Sequence, residues 1–498
     1  MVQRRQVLAL LAGAAALCGL GPLVVARAAD SPTVPAAAGS AAAAPAARSA
    51  GVWGRAIEVP GLAGAQTQVV SCGAPGNCTA GGTYLSHGRN QGFVVSERGG
   101  HWLRATAVPG LAALNKGAVP GIGAYVTVLS CTAAGNCAAG GSYLDQRKHA
   151  QAFVVSERSG RWGKAIEIPG LAALEHGRQG VVNSLSCTSA GNCGAGGWYD
   201  DSHGRMQGFV VTERNGRWNA AIEVPGLGAL NTDTMAGEGA QTLSVSCASA
   251  GNCAAGGYYS TKSFQWQGFV VTERAGHWGR AIEVPGLGAL NTSGGAQVQS
   301  LSCASAGNCS AGGFYASGGH QQGFVVAEKN GHWNPATEVP GLAALNTSGQ
   351  AFVNSVSCAA AGNCTAGGIY DGAPNFPDNY GKGYVVTEHN GVWGRAVAVA
   401  GLAALHATRY SGVASVSCAS AGNCAAGGWY MDNHGYRQGF VAVQRNGGWG
   451  LATEVPGLAV LNKGGSANVA VVSCATPASC VAGGSFMDSH GHYQGYLT

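Results

Sequence analysis

An all-β chain folded as an eight-bladed β-propeller, with four antiparallel strands and one disulfide per blade, is predicted by three observations. Cysteines recur as Cys72 and Cys78, Cys131 and Cys137, Cys187 and Cys193, Cys247 and Cys253, Cys303 and Cys309, Cys358 and Cys364, Cys418 and Cys424, and Cys474 and Cys480. Each pair is spaced C-x5-C, and successive first cysteines lie 59, 56, 60, 56, 55, 60 and 56 residues apart. Every unit carries short stretches rich in β-branched and aromatic residues, in the fourth unit TLSVSC, CAAGGYY, QGFVVTER and HWGRAIEVP. The ends are complementary: the chain stops at QGYLT, partway through a third strand, while residues 51–61, GVWGRAIEVPG, offer a fourth strand with no first three before it. Four strands at this period describe a propeller blade, and a last blade closed by both termini leaves no free edge for aggregation.

The elements follow in chain order. Residues 1–29 read as a secretory signal peptide: Arg4 and Arg5, an apolar run from Val7 to Val25, then Ala26 and Ala28 around Arg27. The paired arginines fit a twin-arginine signal and a general export signal equally. Residues 30–50, rich in Ala, Pro and Ser, read as a flexible linker. Residues 51–498 then form one propeller, with a tryptophan per blade at Trp53, Trp102, Trp162, Trp218, Trp278, Trp333, Trp393 and Trp449. Sixteen of the 17 cysteines fall in the pairs and Cys18 leaves with the leader, the arithmetic of disulfides in an exported protein. Zinc would need closer pairs and further ligands at regular offsets.

The glycine doublet ending the second strand, an aromatic beyond it and a tryptophan after the third strand (Gly257, Tyr259 and Trp278 in blade 4) resemble the kelch repeat. The small residues before the doublet and the added cysteine pair depart from kelch. The resemblance implies a propeller and no particular activity; likeness to secreted bacterial propeller lectins implies multivalent glycan recognition. The turn TERNGRW is loosely similar to a sialidase Asp-box but lacks the aspartate, and reads as a hairpin turn.

Composition narrows the function. With 83 glycines, 46% hydrophobic and only 10% charged residues, the chain is neither disordered nor collagenous, and glycine is too frequent for long helices. Beyond the leader, near-equal numbers of basic and acidic residues argue against a nucleic-acid partner. No segment past residue 29 is long and apolar enough for a membrane span. Motifs for a nucleophile elbow, a zinc-protease helix or a phosphate loop are missing, and Glu213, Glu223, Glu273 and Glu283 repeat at equivalent positions as structural residues do. The expectation is therefore a binding protein without catalytic residues, metal or cofactor.

Loop lengths locate the binding face. The C-x5-C turn and the third-to-fourth turn keep their lengths and share one face. On the opposite face, the distance from the doublet to the third-strand aromatic varies between 11 and 16 residues. There Trp198, Tyr199, Tyr258, Trp266, Trp429 and Tyr430 offer aromatic surface, and Asp201, His203, Asp432, His434, Asp488 and His490 offer donors and acceptors. Sugars need both, since their C–H faces pack on rings and their hydroxyls need planar polar partners. The same aromatics also suit an interblade core, and Asp-Ser-His-Gly suits a turn. Blades 3 and 7, with WYDDSHG and WYMDNHG, are the strongest expected sites. The expected partner is a glycan or cell-surface polysaccharide bound by a secreted lectin. The alternatives are a scaffold subunit of an exported assembly such as an antibacterial toxin complex, for which the 371–382 insert DGAPNFPDNYGK is the candidate surface, and a glycan-acting hydrolase.

Overall fold

Strand pairing follows the turn chemistry blade by blade. In blade 4 the computed structural model pairs Gln241–Ser249 with Asn252–Ser260 and that strand with Trp266–Arg274. The structure describes residues 53–498 except 177–178, 234, 236, 264, 373–380 and 406–409. The expected leader and linker, and most of the 371–382 insert, lie outside the described residues. From Trp53 onward the chain forms one unit of eight antiparallel sheets.

The fourth strand is broken rather than continuous. His277–Trp278 pairs with the end of the third strand, with Glu273 opposite Trp278, and Ile282–Glu283 pairs further back, with Phe269 opposite Glu283. The outer strand thus carries one extra residue between its two pieces, as a bulge does. Before it, a two-residue turn has both central residues at positive φ, Asn215 at 48° and Gly216 at 79° in blade 3. This geometry matches strand twist and explains the NG and AG pairs.

Both glycines of the doublet are forced by close approach. A Cβ on Gly256 would sit 2.8 Å from Val298 Cγ1 of the next blade, and one on Gly257 would collide with the Gln241 carbonyl oxygen. That carbonyl is displaced by a register shift between Thr242 and Ser244 on the first strand. The doublet therefore serves sheet-on-sheet packing and strand pairing at once.

The core is a set of interblade layers. One contains Val210, Val224 and Leu227 of blade 3 with Ala255, Phe269 and Val271 of blade 4, all buried. Leu227 belongs to a four-residue helix, Leu227–Leu230, that forms part of the VPGLxAL connection between blades. Seven of the eight units form this α-helical or 3-10 turn over residues such as Leu111–Leu114, Leu287–Leu290 and Leu402–Leu405.

Two further devices join the blades. The hydroxyl of the serine preceding each first cysteine accepts the backbone N–H of the next blade's first cysteine: Ser71 from Cys131, Ser130 from Cys187, and so on around to Ser473 from Cys72, at 2.9–3.0 Å. The ring of hydrogen bonds is closed. Beside it, the arginine ending one third strand reaches the buried glutamate of the next, as Arg98 to Glu157 at 3.1 Å and Arg214 to Glu273 at 3.2 Å. Burial pushes the Glu273 carboxyl up and Arg214 draws it back. These glutamates are structural, as their repetition indicates.

All eight C-x5-C pairs are disulfides, with S–S distances from 2.04 to 2.10 Å. The partners stand directly opposite each other on the first and second strands, as Cys247 and Cys253 do. Ring closure is also as expected: Ile57–Glu58 pairs with Tyr493–Leu497, making the outermost strand of blade 8. No described helix is long and apolar enough to cross a membrane.

Candidate functional site

The second-to-third turns and the interblade loops meet on one face, where backbone bonds tie them together. Trp266 N–H donates to Gly294 O, Gly237 N–H to Gly204 O and Arg437 N–H to Gly465 O, at 2.9–3.0 Å. The turn conformations are set by the aspartates. Asp201 Oδ1 accepts the N–H groups of His203 at 2.8 Å and Arg205 at 3.1 Å, while Oδ2 accepts Arg205 Nε at 3.0 Å and Gln207 Nε2 at 3.4 Å. Asp432 takes His434 and Tyr436 N–H, both at 2.9 Å, and Gln438 Nε2 at 3.2 Å. Asp488 takes His490 N–H at 2.8 Å, His492 N–H at 3.0 Å and Gln494 Nε2 at 3.1 Å.

In blades 3 and 8 these bonds stabilise the ionised carboxylates of Asp201 and Asp488. Burial pushes Asp201 up, but the donors from Arg205, His203 and Gln207 outweigh it and hold the carboxyl below its ordinary value. The His492 N–H, then the Gln494 amide, bring Asp488 down to about 2. The three aspartates thus organise their own turns, each accepting the backbone N–H groups two and four residues on. What the turns present outward is His203, His434 and His490, all exposed.

Burial divides the aromatic candidates. Trp198, Tyr199, Tyr258 and Tyr430 are 7%, 3%, 8% and 2% exposed, so their rings belong to the blade walls and not to an open ligand surface. Tyr199 and Tyr430 also donate their hydroxyls to Glu223 at 3.0 Å and Glu454 at 3.1 Å. Trp266, by contrast, is 37% exposed and lies over Tyr258 with ring centroids 5.1 Å apart. Trp429 is half-buried, with the Arg437 guanidinium 4.6 Å from its ring centre and Tyr410 on its flank at 6.5 Å. Tyr436 is 52% exposed and pairs with His434 at 6.4 Å.

Register explains the difference. Trp429 stands opposite Gly439 and Tyr258 opposite Gly268, so Arg437 and Trp266 are their diagonal neighbours. In blade 3 the residue diagonal to Trp198 is Met206, itself 6% exposed. Arg437, which sequence reasoning missed as a site residue, was therefore legible from the position immediately before QG, and Tyr436, also missed, precedes it. Each blade keeps its own set: Asp201 with His203, Tyr258 with Trp266, Asp432 with His434, and Asp488 with His490.

No protein-family model matches the chain, and no curated protein matches it. Among solved structures it is similar to the GH74 xyloglucanase from Xanthomonas campestris, at 12% identity and TM-score 0.44, over 79% of this chain and 54% of that one. It is also similar to Sqt1 from Chaetomium thermophilum, at 10% identity and TM-score 0.46, over 85% of this chain and 95% of that one. A third is the Trypanosoma rangeli sialidase, at 11% identity and TM-score 0.33, over 67% of this chain and 56% of that one. Such distant likenesses leave the chemistry of the face to its own residues.

Among the described residues no group of three or more His, Cys, Asp or Glu side chains could hold a metal ion. Glu175 is the described carboxyl raised to about 7, by burial and then by Glu167, against a lowering hydrogen bond from Gln151. It is 2% exposed and packed against Gly180, inside the scaffold rather than on the open face.

Proposed function

We propose that this protein is a secreted carbohydrate-binding propeller that recognises glycans multivalently, without turnover, through the face bearing the second-to-third turns. Eight disulfides fit the oxidising setting of an exported protein. The reading rests above all on one observation: exposed aromatic rings sit beside planar polar groups on turns held rigid by register or by aspartate. Trp266 over Tyr258, and Tyr436 beside His434 with Arg437 next in the chain, are the two aromatic examples. Rigid rings and forked donors suit a pyranose, whose C–H face is apolar and whose hydroxyls are directional.

Each shallow site is expected to bind near millimolar, about 4 kcal/mol. Display of the glycan on a surface then raises apparent affinity by a factor on the order of 100 to 10,000. The double variant Trp266→Ala, Tyr436→Ala is expected to lose at least about tenfold in apparent affinity for immobilised polysaccharide. The variant should stay folded, with its melting temperature lowered by only a few degrees, since the Trp266 ring covers Tyr258 but both mutated side chains lie at the surface. Undiminished binding by the well-folded variant contradicts the proposed site.

A further inference from the structure

Five blades share a hydrogen bond that blades 1 and 6 lack for want of a carboxylate. Tyr143 donates to Glu167 at 3.2 Å, Tyr199 to Glu223 at 3.0 Å, Tyr259 to Glu283 at 2.9 Å, Tyr315 to Glu338 at 2.8 Å and Tyr430 to Glu454 at 3.1 Å. The carboxylate fills a space between the tyrosine and the short helix: a Cβ on Gly228 would lie 2.7 Å from Glu223 Oε1. In blade 1 the tyrosine is kept as Tyr84, but the outer strand reads ATAVPG instead of AIEVPG, and Ala107 replaces the glutamate.

Beside Tyr84 and Ala107 lies an open groove of about 560 Å³. Tyr84 and Gln91, both half-buried, line it together with Ala107, Ala112, His87 and Arg89, all four exposed. No carboxylate lines it. Ala398 makes the same replacement in blade 6, but there Tyr370 is 6% exposed and meets the Tyr384 ring edge-on at 6.3 Å.

We infer that the blade 1 groove binds a carboxylate-bearing sugar, a hexuronate residue of an acidic polysaccharide. The volume falls in the range of small-molecule sites, about 300–1,000 Å³. A pyranose ring packs on the Tyr84 phenol and the Ala107 and Ala112 methyls, its hydroxyls meet the Tyr84 hydroxyl and the Gln91 amide, and its carboxylate pairs with the Arg89 fork. The same cationic rim without acidic neighbours disfavours a cationic ligand. This inference rests on the glycan-binding reading of the face and names the sugar class for one blade.

The test is calorimetric titration of the protein with tetragalacturonate and with its methyl ester. The parent is expected to bind the acid at least tenfold more tightly than the ester. Ala107→Glu reinstalls the pair that five other blades carry, takes up the Tyr84 hydroxyl and adds a negative charge to the groove, so it should fold and lose at least tenfold in affinity for the acid. Arg89→Gln, altering an exposed side chain, should bring acid and ester to equal affinity. Unchanged affinity in both variants, or equal binding of acid and ester by the parent, overturns the inference. A parent that binds neutral oligosaccharides but not tetragalacturonate overturns the groove alone; one that binds neither overturns the glycan-binding reading as well.

Discussion

Removing residues 51–61 is expected to abolish stable folding or to lower the melting temperature by tens of degrees, with aggregation. The segment supplies the outermost strand of blade 8, with Ile57 opposite Leu497 and Glu58 opposite Tyr496. Its Ala56 N–H donates to Pro456 O at 2.7 Å and Val59 N–H to Gly495 O at 3.1 Å. Ala56 and Val59 are buried in two different interblade layers, with Val441 and Val455 on one side and Val70 and Phe93 on the other. Deletion bares both layers, at roughly 1.5–3 kcal/mol for each large side chain returned to water. It also exposes the edge of Tyr493–Leu497 as a template for intermolecular pairing. Deleting residues 30–50 is the control and should leave the melt unchanged. Equal melting of both truncations and the parent contradicts closure by the N-terminal strand.

Reduction of the disulfides is expected to have the other large effect. Each bridge closes a small loop and stabilises by about 2 kcal/mol in the chain-entropy estimate. Eight together rival the roughly 5–15 kcal/mol that separates a typical native protein from its unfolded state. A reductant should therefore broaden the thermal transition and shift it far downward in residues 30–498. Before reduction, the unfolded protein should titrate with no free thiol; two or more per chain would refute the pairing.

The architecture was legible in the sequence because its determinants are local and repeated eight times. The C-x5-C turn, the doublet and the NG-type turn each fix one strand junction within a few residues. The outer strand's break was not legible, since HWGRAIEVP reads as one continuous run and the extra residue shows only in its pairing with Phe269 and Glu273. Nor were the helical turns such as Leu227–Leu230, because four residues are too few to display a helical period.

The candidate face was less legible for a different reason. The rings directly after the doublet, Trp198 and Tyr258, are both buried, and the exposed ring in blade 4 is Tyr258's diagonal neighbour Trp266, where blade 3 has the buried Met206. Asp201, Asp432 and Asp488 carry chemistry-bearing side chains, but the backbone of their own turns claims them. The blade 1 groove escapes a search for functional residues altogether, because its signal is a missing one: Ala107 where other blades hold glutamate.

The central claim is that the turn-bearing face recognises glycans, and an array of immobilised saccharides probed with residues 51–498 tests it most directly. Saturable binding to a defined subset of saccharides, removed by the Trp266→Ala, Tyr436→Ala double variant, is the predicted result. Binding to none of the saccharides, or identical binding by parent and double variant, would contradict it.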